Sequence, residues 1–466
     1  GPGGTRRTGR PMMRPMFMSE LEAPLEATLR GADREFSGVC TDSRSLRPGD
    51  LFVALRGDSF DGHDYLAQAA DGGAVGALVS SPQALDLPQL VVPDTRRGLG
   101  LLGAYNRSFY HGPLVAITGS SGKTTVKNMV AAVLSTQGET LATEGNFNNE
   151  VGVPLTLLRL HPAVAFAVVE MGAAKAGDIS WLCELGRPSV SLLLNAMPAH
   201  LEGFGTVDDV AAAKGEIFAA LGAGDVAVIN ADQPWASQWR RTAGQATVLD
   251  FGLEQPAAIT ATAIQPRGVE GVSFIVSTPV GEAPVRLALP GRHNVANGLA
   301  AIAVGLACEL SLAQICRGLE SVQPVSGRLR PVSTALGVTL IDDCYNANPG
   351  SVRAAIDLLA GCGGRRTIML GAMKELGAAS AELHRQVGAY AREAGIDQLW
   401  GVGDELRDTV EGFGEGARHF PDREALVAAA RDAFGSEDTV LVKGSRSAGM
   451  EMVLSALAGG QESGEG

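Results

Sequence analysis

The sequence predicts an α/β protein of three domains, in which a central parallel-sheet domain lies between an N-terminal α/β domain and a C-terminal Rossmann-like domain. Three observations lead to this prediction. The chain has 466 residues, which exceeds the roughly 250–300 residues that one hydrophobic core usually serves. Short apolar strands alternate with helical patterns, as in parallel sheets that are covered by helices. The alternation starts anew at Pro113 and again after Val325.

Composition describes a globular chain without the character of a nucleic-acid-binding protein. Hydrophobic residues make up 45% and charged residues 19%, and 60 glycines supply many tight turns. With a net charge of −13, the chain lacks the excess of basic residues that binding to nucleic acid or to an anionic membrane requires. We therefore expect neither nucleic acid nor a membrane among the partners of the chain.

Cysteine usage and hydropathy indicate a cytoplasmic protein with reduced thiols. No stretch approaches the roughly 20 apolar residues of a membrane helix, and no apolar signal-peptide core opens the chain. The cysteines are scattered without a CxxC pair, so neither a disulfide framework nor a zinc site is predicted. We expect the protein to be a monomer. The cysteines are Cys40, Cys183, Cys308, Cys316, Cys344 and Cys362.

Five segments are predicted along the chain. Residues 1–17 are rich in Gly, Arg and Pro and are predicted to be a disordered arm outside the fold. Residues 18–112 read as a small α/β domain, residues 113–325 as the central domain and residues 326–457 as the C-terminal domain. Residues 458–466 are predicted to be a frayed tail.

The central segment carries the clearest pattern of strands and helices. A buried strand, PLVAIT, starts at Pro113, and a helix from about Lys123 follows the i, i+3, i+4, i+7, i+8 rule. Residues 258–289 read as a small antiparallel sheet before a helix at His293. Further strands are predicted at Ala165–Glu170, Ser189–Leu194 and Asp225–Asn230.

The segment TGSSGKTT between this strand and helix predicts a nucleotide site. Such a turn directs successive backbone N–H groups and the helix N-terminus at phosphate oxygens. Lys123 is placed to neutralise phosphate charge, and the Thr124 hydroxyl to bind Mg²⁺. The usual motif has four residues between its glycines, whereas Gly119 and Gly122 enclose two. An ordinary strand-to-helix turn is the alternative, but the flanking elements favour nucleotide binding.

Three further residues are weaker candidates. Glu170 ends a buried strand, where open α/β sheets place ligand-binding groups, so it suits a Mg²⁺ ligand beside a nucleotide loop. His200 lies in a loop after another strand, where a single His is usually structural or exposed. Lys214 lies in the predicted helix VDDVAAAKGEIF and, by itself, reads as a surface lysine.

Polar clusters downstream could complete a site. GRHNVANGLAA opens a helix, and the i, i+3 spacing of Asn294 and Asn297 places both amides on one face, although a helix cap would explain them nearly as well. In the third domain, cationic and amide groups could hold ATP or substrate carboxylates. They lie in SGRLRP, DDCYNANPGS and KGSR and include Arg328, Asp342, Asp343, Tyr345, Asn346, Asn348, Lys443 and Arg446.

In this order, the motifs resemble the Mur ligase family over nearly the whole chain, from about Met18 to Leu457. They are TGxxGKT with its short spacing, a strand-end Glu, AHLE followed by a helical Lys, GxHNxxN, and an Arg-bearing turn before DD-Y-N. The segments TDSR, FDGHDY, EGNFNNEVGVPLTLLRL, AKGEIF and DDCYNANPGS resemble the branch that adds D-alanyl-D-alanine to UDP-N-acetylmuramoyl-tripeptide. In GAMKELG, Ala372 departs from the Asp that is frequent there.

The resemblance implies an ATP-dependent ligase with Mg²⁺ and a carbamylated Lys214. The N-terminal domain would bind the UDP-sugar peptide, the central domain ATP, and the C-terminal domain the amine. Catalytic roles would fall to Lys123, His200, Lys214 and Arg328, and metal binding to Thr124, Glu170 and His200. The ATP site would comprise Gly119, Ser120, Ser121, Gly122, Lys123, Thr124, Thr125, His293, Asn294, Asn297, Arg328 and Asp343. Substrates would contact Ser43, Arg44, His63, Asn148, Asn149, Asn346, Asn348, Lys443 and Arg446.

Three alternatives stay open. A sibling Mur ligase that adds the third amino acid shares TDSR and DGH, but its DNPR segment is not found in this sequence. Folylpolyglutamate synthetase shares the ATP core and the chemistry, yet lacks the N-terminal domain. From another class, a nucleotide-binding switch or ATPase would release phosphate without requiring both an amine and a carboxylate.

Overall fold

A computed structural model describes residues 13–198, 201–268, 270–324, 329–332, 334 and 337–459. Contacts between residues divide the chain into two compact units. Unit one comprises Gly1–Ala116, Gly138–Gly172 and Asp178–Ser189, and unit two comprises Ile117–Gln137, Ala173–Gly177 and Val190–Gly466. Within the described ranges, no helix combines the length and apolar character that crossing a bilayer requires.

The N-terminal segment forms a small α/β sheet with the strand order β2-β7-β6-β5-β4. Its neighbouring strands are parallel, except that β2 pairs with β7 in antiparallel orientation. The predicted small α/β domain is therefore present. The elements are β1 (Met16–Phe17), α1 (Glu22–Leu25), β2 (Thr28–Arg30), β3 (Glu35–Phe36), β4 (Gly38–Cys40), β5 (Asp50–Val53), α2 (Leu66–Asp71), β6 (Gly76–Val79), β7 (Gln89–Val91) and α3 (Thr95–Arg107), with 3₁₀ turns at Met18–Leu21 and Gly62–Tyr65.

The beginning of the fold differs from the prediction that residues 1–17 lie outside it. Met16 is 0% exposed and pairs with Phe36 in the β1–β3 ladder, and Met13 is buried as well. Both methionines belong to the same apolar cluster as Leu21. The arginines and glycines around them concealed two core side chains, so the prediction is wrong for residues 13–17. Residues 1–12 lie outside the described part of the chain.

The central segment forms a six-stranded sheet with the order β13-β12-β11-β8-β10-β9 and a separate antiparallel sheet, β14-β15-β16. Both sheets were predicted. The elements are β8 (Leu114–Thr118), α4 (Lys123–Ser135), β9 (Thr140–Ala142), α5 (Gly152–Leu157), β10 (Phe166–Glu170), α6 (Asp178–Gly186), β11 (Val190–Leu193), α7 (Leu201–Phe204), α8 (Val207–Ala219), β12 (Val226–Asn230), α9 (Ala236–Thr242), β13 (Thr247–Phe251), β14 (Thr260–Pro266), β15 (Val272–Thr278), β16 (Gly281–Leu287), α10 (Arg292–Ala307) and α11 (Leu312–Glu320).

Helix α4 has the apolar face that its sequence predicts. The side chains at the predicted spacing are fully buried and anchor the helix, and residues 119–122 connect its N-terminus to strand β8. Fixing this helix positions the nucleotide loop between the two elements. The buried residues are Val126, Met129, Val130, Val133 and Leu134.

The C-terminal segment is a six-stranded sheet with the order β17-β18-β22-β19-β20-β21, parallel except for β17. This agrees with the predicted Rossmann-like alternation. The elements are β17 (Arg330–Val332), β18 (Thr339–Asp343), α12 (Pro349–Ala360), β19 (Arg365–Leu370), α13 (Ser380–Glu393), β20 (Gln398–Val402), α14 (Leu406–Phe413), β21 (Ala417–Phe420), α15 (Arg423–Ala430), β22 (Asp438–Lys443) and α16 (Glu451–Leu457), with 3₁₀ turns at Gly377–Ala379 and Arg446–Ala448.

Candidate active site

Unit two encloses a cavity of about 230 Å³ at the end of the nucleotide loop. Several stretches of the chain line it. They include the nucleotide loop, the segment after β11, the ends of β12 and β13, the start of α10, the end of β18 with the loop that follows it, the start of α12, and the end of β22. Many residues that the sequence singled out are therefore brought together. The lining residues among those predictions are Ser121, Gly122, Thr125, His293, Asn294, Asn297, Asp343, Tyr345, Asn346, Asn348 and Lys443.

The nucleotide loop is a tight turn between β8 and α4. Gly122 has φ = +83°, a left-handed conformation that side chains rarely adopt. A Cβ atom there would also come within 3.1 Å of Oδ1 of Asn297. Among the described side chains, none caps the first turn of α4, which begins at Lys123. The positive end of the helix dipole and the N–H groups of this turn are therefore suited to phosphate.

The two asparagines of α10 form a chain of hydrogen bonds on one face of the helix. Nδ2 of Asn297 donates to Oδ1 of Asn294 over 3.0 Å, and Nδ2 of Asn294 donates to the Pro290 carbonyl over 2.8 Å. Asn294 does not cap the helix, because it lies inside α10. The shared face that the i, i+3 spacing predicted is confirmed, and it turns the Asn297 amide toward the nucleotide loop.

His293 lies at the cavity in its neutral form. Burial, with a smaller contribution from the positive charge of Lys443, lowers the pKa of His293 to about 4. At neutral pH the imidazole is therefore uncharged and presents one donor and one acceptor nitrogen. Such a ring can hydrogen-bond a nucleotide without adding charge.

The third-domain side of the cavity is built around a buried ion pair. Nζ of Lys443 lies 2.8 Å from Oδ2 of Asp343 and also donates to the Asn346 carbonyl over 2.9 Å. Asn348 caps α12 by accepting from the Ser351 N–H over 2.9 Å, and its Nδ2 lies 3.4 Å from the Ser120 carbonyl. These side chains shape the wall of the cavity as well as lining it.

Two other residues of the third domain lie beyond the lining of the cavity. Arg446 is exposed, and its guanidinium carbon lies 5.6 Å from the centre of the Tyr345 ring. Ala372 is buried, and its carbonyl accepts a 2.9 Å hydrogen bond from the Ser445 N–H. Its backbone therefore holds the loop after β22, although its side chain offers no polar group.

Glu170 belongs to unit one and is a buried carboxylate at the end of β10. Nδ2 of Asn148 donates to its Oε1 over 3.1 Å, and its N–H donates to Oγ1 of Thr143 over 2.9 Å. Asn148 therefore orients a potential metal ligand. Asn149 has a different role, because its Oδ1 accepts from the N–H groups of Val151 and Gly152 at the start of α5.

Lys214 is 1% exposed, so the interpretation as a surface lysine is wrong. It lies in α8 between Ala213 and Gly215, which are buried as well. These small neighbours allow other parts of the chain to approach the helix closely at this position. Burying an ammonium group in an apolar interior is costly, which favours either a strong ionic partner or chemical conversion of the amine.

The predicted metal ligands do not all fall within the described residues. Thr124 lies in the first turn of α4, whereas His200 and the predicted catalytic Arg328 lie outside the described part of the chain. Where side chains are described, no group of three or more His, Cys, Asp or Glu residues is arranged to hold a metal ion. Lys123, which is half-buried, begins the same helical turn as Thr124.

Unit one contains a second cavity of about 620 Å³. It is lined by the strand and loop around residues 37–50 and by residues between 144 and 159. Arg159 lies in its wall, where its guanidinium is 3.0 Å from the largely exposed Glu144 carboxylate, and Phe147 is 52% exposed at its edge. Sequence reasoning did not single out Arg159 or Phe147, although both lie in the quoted segment EGNFNNEVGVPLTLLRL.

The three predicted residues of the UDP-sugar pocket lie outside the lining of this cavity. Arg44 is 85% exposed and forms a two-pronged ion pair with Asp42, which does line it. His63 is buried; its Nδ1 lies 2.7 Å from Oδ1 of Asp61, and its Nε2 accepts from the Ser80 N–H over 3.0 Å. Ser43 lies next to Arg44 and is half-buried.

Three protein-family models match successive parts of the chain. A model described as the Mur ligase middle domain matches residues 117–305, one described as the Mur ligase glutamate ligase domain matches residues 327–446, and one described as the Mur ligase family catalytic domain matches residues 35–102. The chain belongs to the Mur ligase family.

Individual Mur ligases match along nearly the full length. The UDP-N-acetylmuramoyl-tripeptide–D-alanyl-D-alanine ligase of Escherichia coli K12 is 46% identical over 445 residues, covering 94% of this chain and 98% of that protein. A crystal structure of MurF from Acinetobacter baumannii has a TM-score of 0.92 at 34% identity and covers 96% of this chain and 99% of that chain. MurF ligase from Thermotoga maritima, solved in complex with ADP, has a TM-score of 0.82 at 27% identity, covering 90% of this chain and 97% of that chain.

Proposed function

We propose that this Mur ligase joins D-alanyl-D-alanine to UDP-N-acetylmuramoyl-tripeptide and converts ATP to ADP and phosphate. One observation carries the proposal: the chain is 46% identical, over 94% of its own length, to an enzyme whose name states this reaction. The product would be the UDP-N-acetylmuramoyl-pentapeptide precursor of peptidoglycan. The enzyme would act in the cytoplasm as a monomer.

The proposed reaction has two steps. The terminal carboxylate of the tripeptide attacks the γ-phosphorus of ATP, and ADP leaves with the electrons of the broken P–O bond. The amine of D-alanyl-D-alanine then attacks the acyl carbon of the acyl phosphate, loses a proton, and expels inorganic phosphate as the amide forms. The first step brings two anions together, so positive charge from Lys123, from the N-terminus of α4 and from Arg328 would reduce their repulsion.

The nucleotide cavity suits ATP by its polarity as well as its place in the fold. The N–H groups of the first turn of α4 would bind the phosphates, and Asn294, Asn297 and the neutral His293 would contact the nucleoside. The Asp343 carboxylate, held by Lys443, is suited to accept hydrogen bonds from ribose hydroxyls. Asn346 and Arg446 remain candidates for contact with the amine substrate.

A divalent cation such as Mg²⁺ fits the donors that the chain offers. Glu170 is a buried carboxylate whose amide neighbour, Asn148, orients one of its oxygens, and hard oxygen donors are what Mg²⁺ prefers. Thr124 and His200 would complete the set of protein ligands. When bound, the cation would offset the negative charge of the phosphates. Burial of Lys214 supports its conversion by CO₂ to a carbamate, which would turn a buried cation into an oxygen ligand.

The unit-one cavity is the proposed site of the UDP-sugar peptide. Arg159 could exchange its exposed partner Glu144 for a phosphate or carboxylate of the substrate, because an exposed ion pair is weak. Phe147 offers an exposed ring for stacking at the edge of the cavity. Ser43, Arg44 and His63 would contribute indirectly by supporting the loops around it.

The test is release of phosphate from ATP with UDP-N-acetylmuramoyl-tripeptide and D-alanyl-D-alanine, supplied together and with each omitted. We expect release only with both, and a pentapeptide product identified by its mass. Release with neither substrate would favour an ATPase or switch. Activity with a single amino acid instead of the dipeptide, on a shorter peptide substrate, would favour a sibling ligase.

The carbamate has a separate test. Lys214→Ala and Lys214→Arg should both lose most ligase activity, since neither side chain can form the lysine carbamate. A short-chain carboxylate such as acetate should partly restore Lys214→Ala, because it can supply the missing anion, and should not restore the bulkier Lys214→Arg. Full activity of Lys214→Arg would contradict the carbamate and indicate that a cation suffices at this position.

A further inference from the structure

Asn195 forms several hydrogen bonds with the nucleotide loop. Its Oδ1 accepts hydrogen bonds from the N–H groups of Ser120, over 2.9 Å, and Ser121, over 3.0 Å. Its Nδ2 donates to the Ser121 carbonyl over 3.1 Å, and its own carbonyl accepts a further bond from the Ser120 N–H over 3.1 Å. One carboxamide therefore fixes both residues of the loop that lie between Gly119 and Gly122.

The backbone that carries Asn195 is itself held on the opposite side. Asn230, at the end of β12, donates from Nδ2 to the Leu194 carbonyl over 2.8 Å, and Oε1 of Gln233 accepts from the Ala196 N–H over 2.9 Å. The Met197 N–H donates to Oγ of Ser120 over 2.9 Å. Asn195 thus connects the ends of strands β11 and β12 to the nucleotide loop. The loop consists of small residues, which by themselves would leave it flexible.

The hydrogen bonds of Asn195 lie before the start of α4, and this position determines which N–H groups remain available to a ligand. Asn195 engages the N–H groups of Ser120 and Ser121, which precede the helix, and α4 starts at Lys123 without a capping side chain among the described residues. Asn195 also lines the same cavity as Gly122 and Thr125. The bonds therefore hold the first half of the loop and leave the amides of the helix start directed at the phosphate position.

We propose that Asn195 is a positioning residue for ATP: its carboxamide holds the Ser120–Ser121 turn in the conformation that presents the first turn of α4 to the phosphates. This inference rests on the proposed nucleotide site. Loss of the carboxamide would leave the loop to be ordered by the nucleotide itself, so affinity falls while the fold persists. Asn195 is assigned no contact with the reacting atoms.

The test is calorimetric binding of ADP with Mg²⁺ to the full-length wild type, Asn195→Ala and Asn195→Asp, with Asn128→Ala in α4 as the matched asparagine control. We expect Asn195→Ala to raise the Kd for ADP by about 10-fold or more, and Asn128→Ala to leave it unchanged. The affinity for UDP-N-acetylmuramoyl-tripeptide should stay at the wild-type value in each variant. The melting temperature without nucleotide should fall by no more than a few degrees in the Asn195 variants, as the lost hydrogen bonds require, whereas a general structural defect would lower both.

Asn195→Asp provides the sharper measurement, because a carboxylate still accepts from both N–H groups. The ionised side chain cannot donate to the Ser121 carbonyl and brings negative charge beside the phosphates, so ADP affinity should fall further than in Asn195→Ala. Lowering the pH protonates the carboxyl and restores a donor, so the defect of Asn195→Asp relative to the wild type should shrink as the pH falls.

The results of these titrations distinguish failure of the proposed nucleotide site from failure of the proposed role of Asn195. If the wild type itself fails to bind ADP, the nucleotide site is wrong. If the wild type binds and Asn195→Ala binds equally well, the positioning role is wrong. Tighter binding by Asn195→Ala would also overturn it, because Asn195 would then occupy the phosphate position rather than prepare it. A pH-independent defect in Asn195→Asp would contradict the donor role of Nδ2.

Discussion

The two cavities of the molecule are built in different ways. The unit-two cavity is built on a single contiguous motif, and internal hydrogen bonds hold its polar side chains in place. Asn195 accepts one of these bonds, and Asn297 and Lys443 donate two others. The unit-one cavity is larger, and Arg159 in its wall is paired with a mostly exposed carboxylate. The first is organised before a ligand arrives, whereas the second keeps a charged group that a ligand can recruit. A site formed by the backbone of one contiguous motif can therefore be predicted from the sequence. A pocket formed by side chains from separate segments is harder to predict.

The largest effect should come from removing the cation of the nucleotide loop. Lys123→Ala should lower kcat by about 10²–10³-fold or more, because charge on the transferring phosphoryl group loses a side-chain counterion. Steady-state phosphate release measures this effect. The control is Arg241→Ala, which removes an exposed cation from α9 and should leave the rate unchanged. A Lys123→Ala enzyme with the wild-type rate would refute the assignment of the loop.

The two ion pairs should differ in their contributions to stability. Lys443→Ala should reduce the free energy of unfolding by about 3 kcal/mol, since the buried Asp343 carboxylate loses its cation. Asp343→Asn combined with Lys443→Ala should recover part of that loss. Glu144→Gln in unit one should change stability by less than about 1 kcal/mol, because its pair with Arg159 is exposed. Denaturant titrations measure both, and equal effects would show that the contrast in burial does not matter.

Replacing Arg159 and Arg44 should give unequal results. Arg159→Ala should raise KM for UDP-N-acetylmuramoyl-tripeptide by about 10-fold, as expected for loss of a charge-assisted hydrogen bond. Arg44→Ala should have a smaller effect, because Arg44 reaches the cavity only through its ion pair with Asp42. Initial rates at varied substrate concentration measure both. A larger defect in Arg44→Ala would move the binding site toward the TDSR loop.

The smallest effect concerns the pH dependence of stability through His293. Its pKa of about 4 in the folded protein lies below the usual value near 6.5, so the unfolded chain binds more protons between these two values. Stability from this group is therefore present above about pH 6.5 and is lost as the pH falls toward 4. At pH 5.5 the loss should be about 1 kcal/mol. His293→Gln should lack this component, so the stability difference between wild type and variant should change with pH; a constant difference would contradict it.

Local patterns in the sequence predicted the elements that position the nucleotide site. The strand before Gly119, the buried face of α4 and the shared face of Asn294 and Asn297 all follow from periodicity and are confirmed. Such features depend only on residues that are close in sequence, so they can be predicted from one sequence.

Features that depend on distant parts of the chain were harder to predict. Burial of Lys214 depends on the elements that pack around α8. Inclusion of Met16 depends on pairing with a strand about 20 residues away, and burial of Met13 depends on the apolar cluster that it joins. His63 lies in a segment suggestive of binding, yet its ring bonds to Asp61 and Ser80 within the fold. Asn195 was not singled out because nothing in its local sequence reveals the loop that it holds.

The central claim is that the two cavities bind different ligands, and calorimetry on two variants with two ligands tests it most directly. ADP with Mg²⁺ and UDP-N-acetylmuramoyl-tripeptide would each be titrated into the wild type, Lys123→Ala and Arg159→Ala. We predict that Lys123→Ala loses affinity for ADP and keeps the UDP-sugar peptide, while Arg159→Ala shows the reverse. If either variant weakened only the other ligand, or both variants weakened both ligands equally, the assignment of separate cavities would be contradicted.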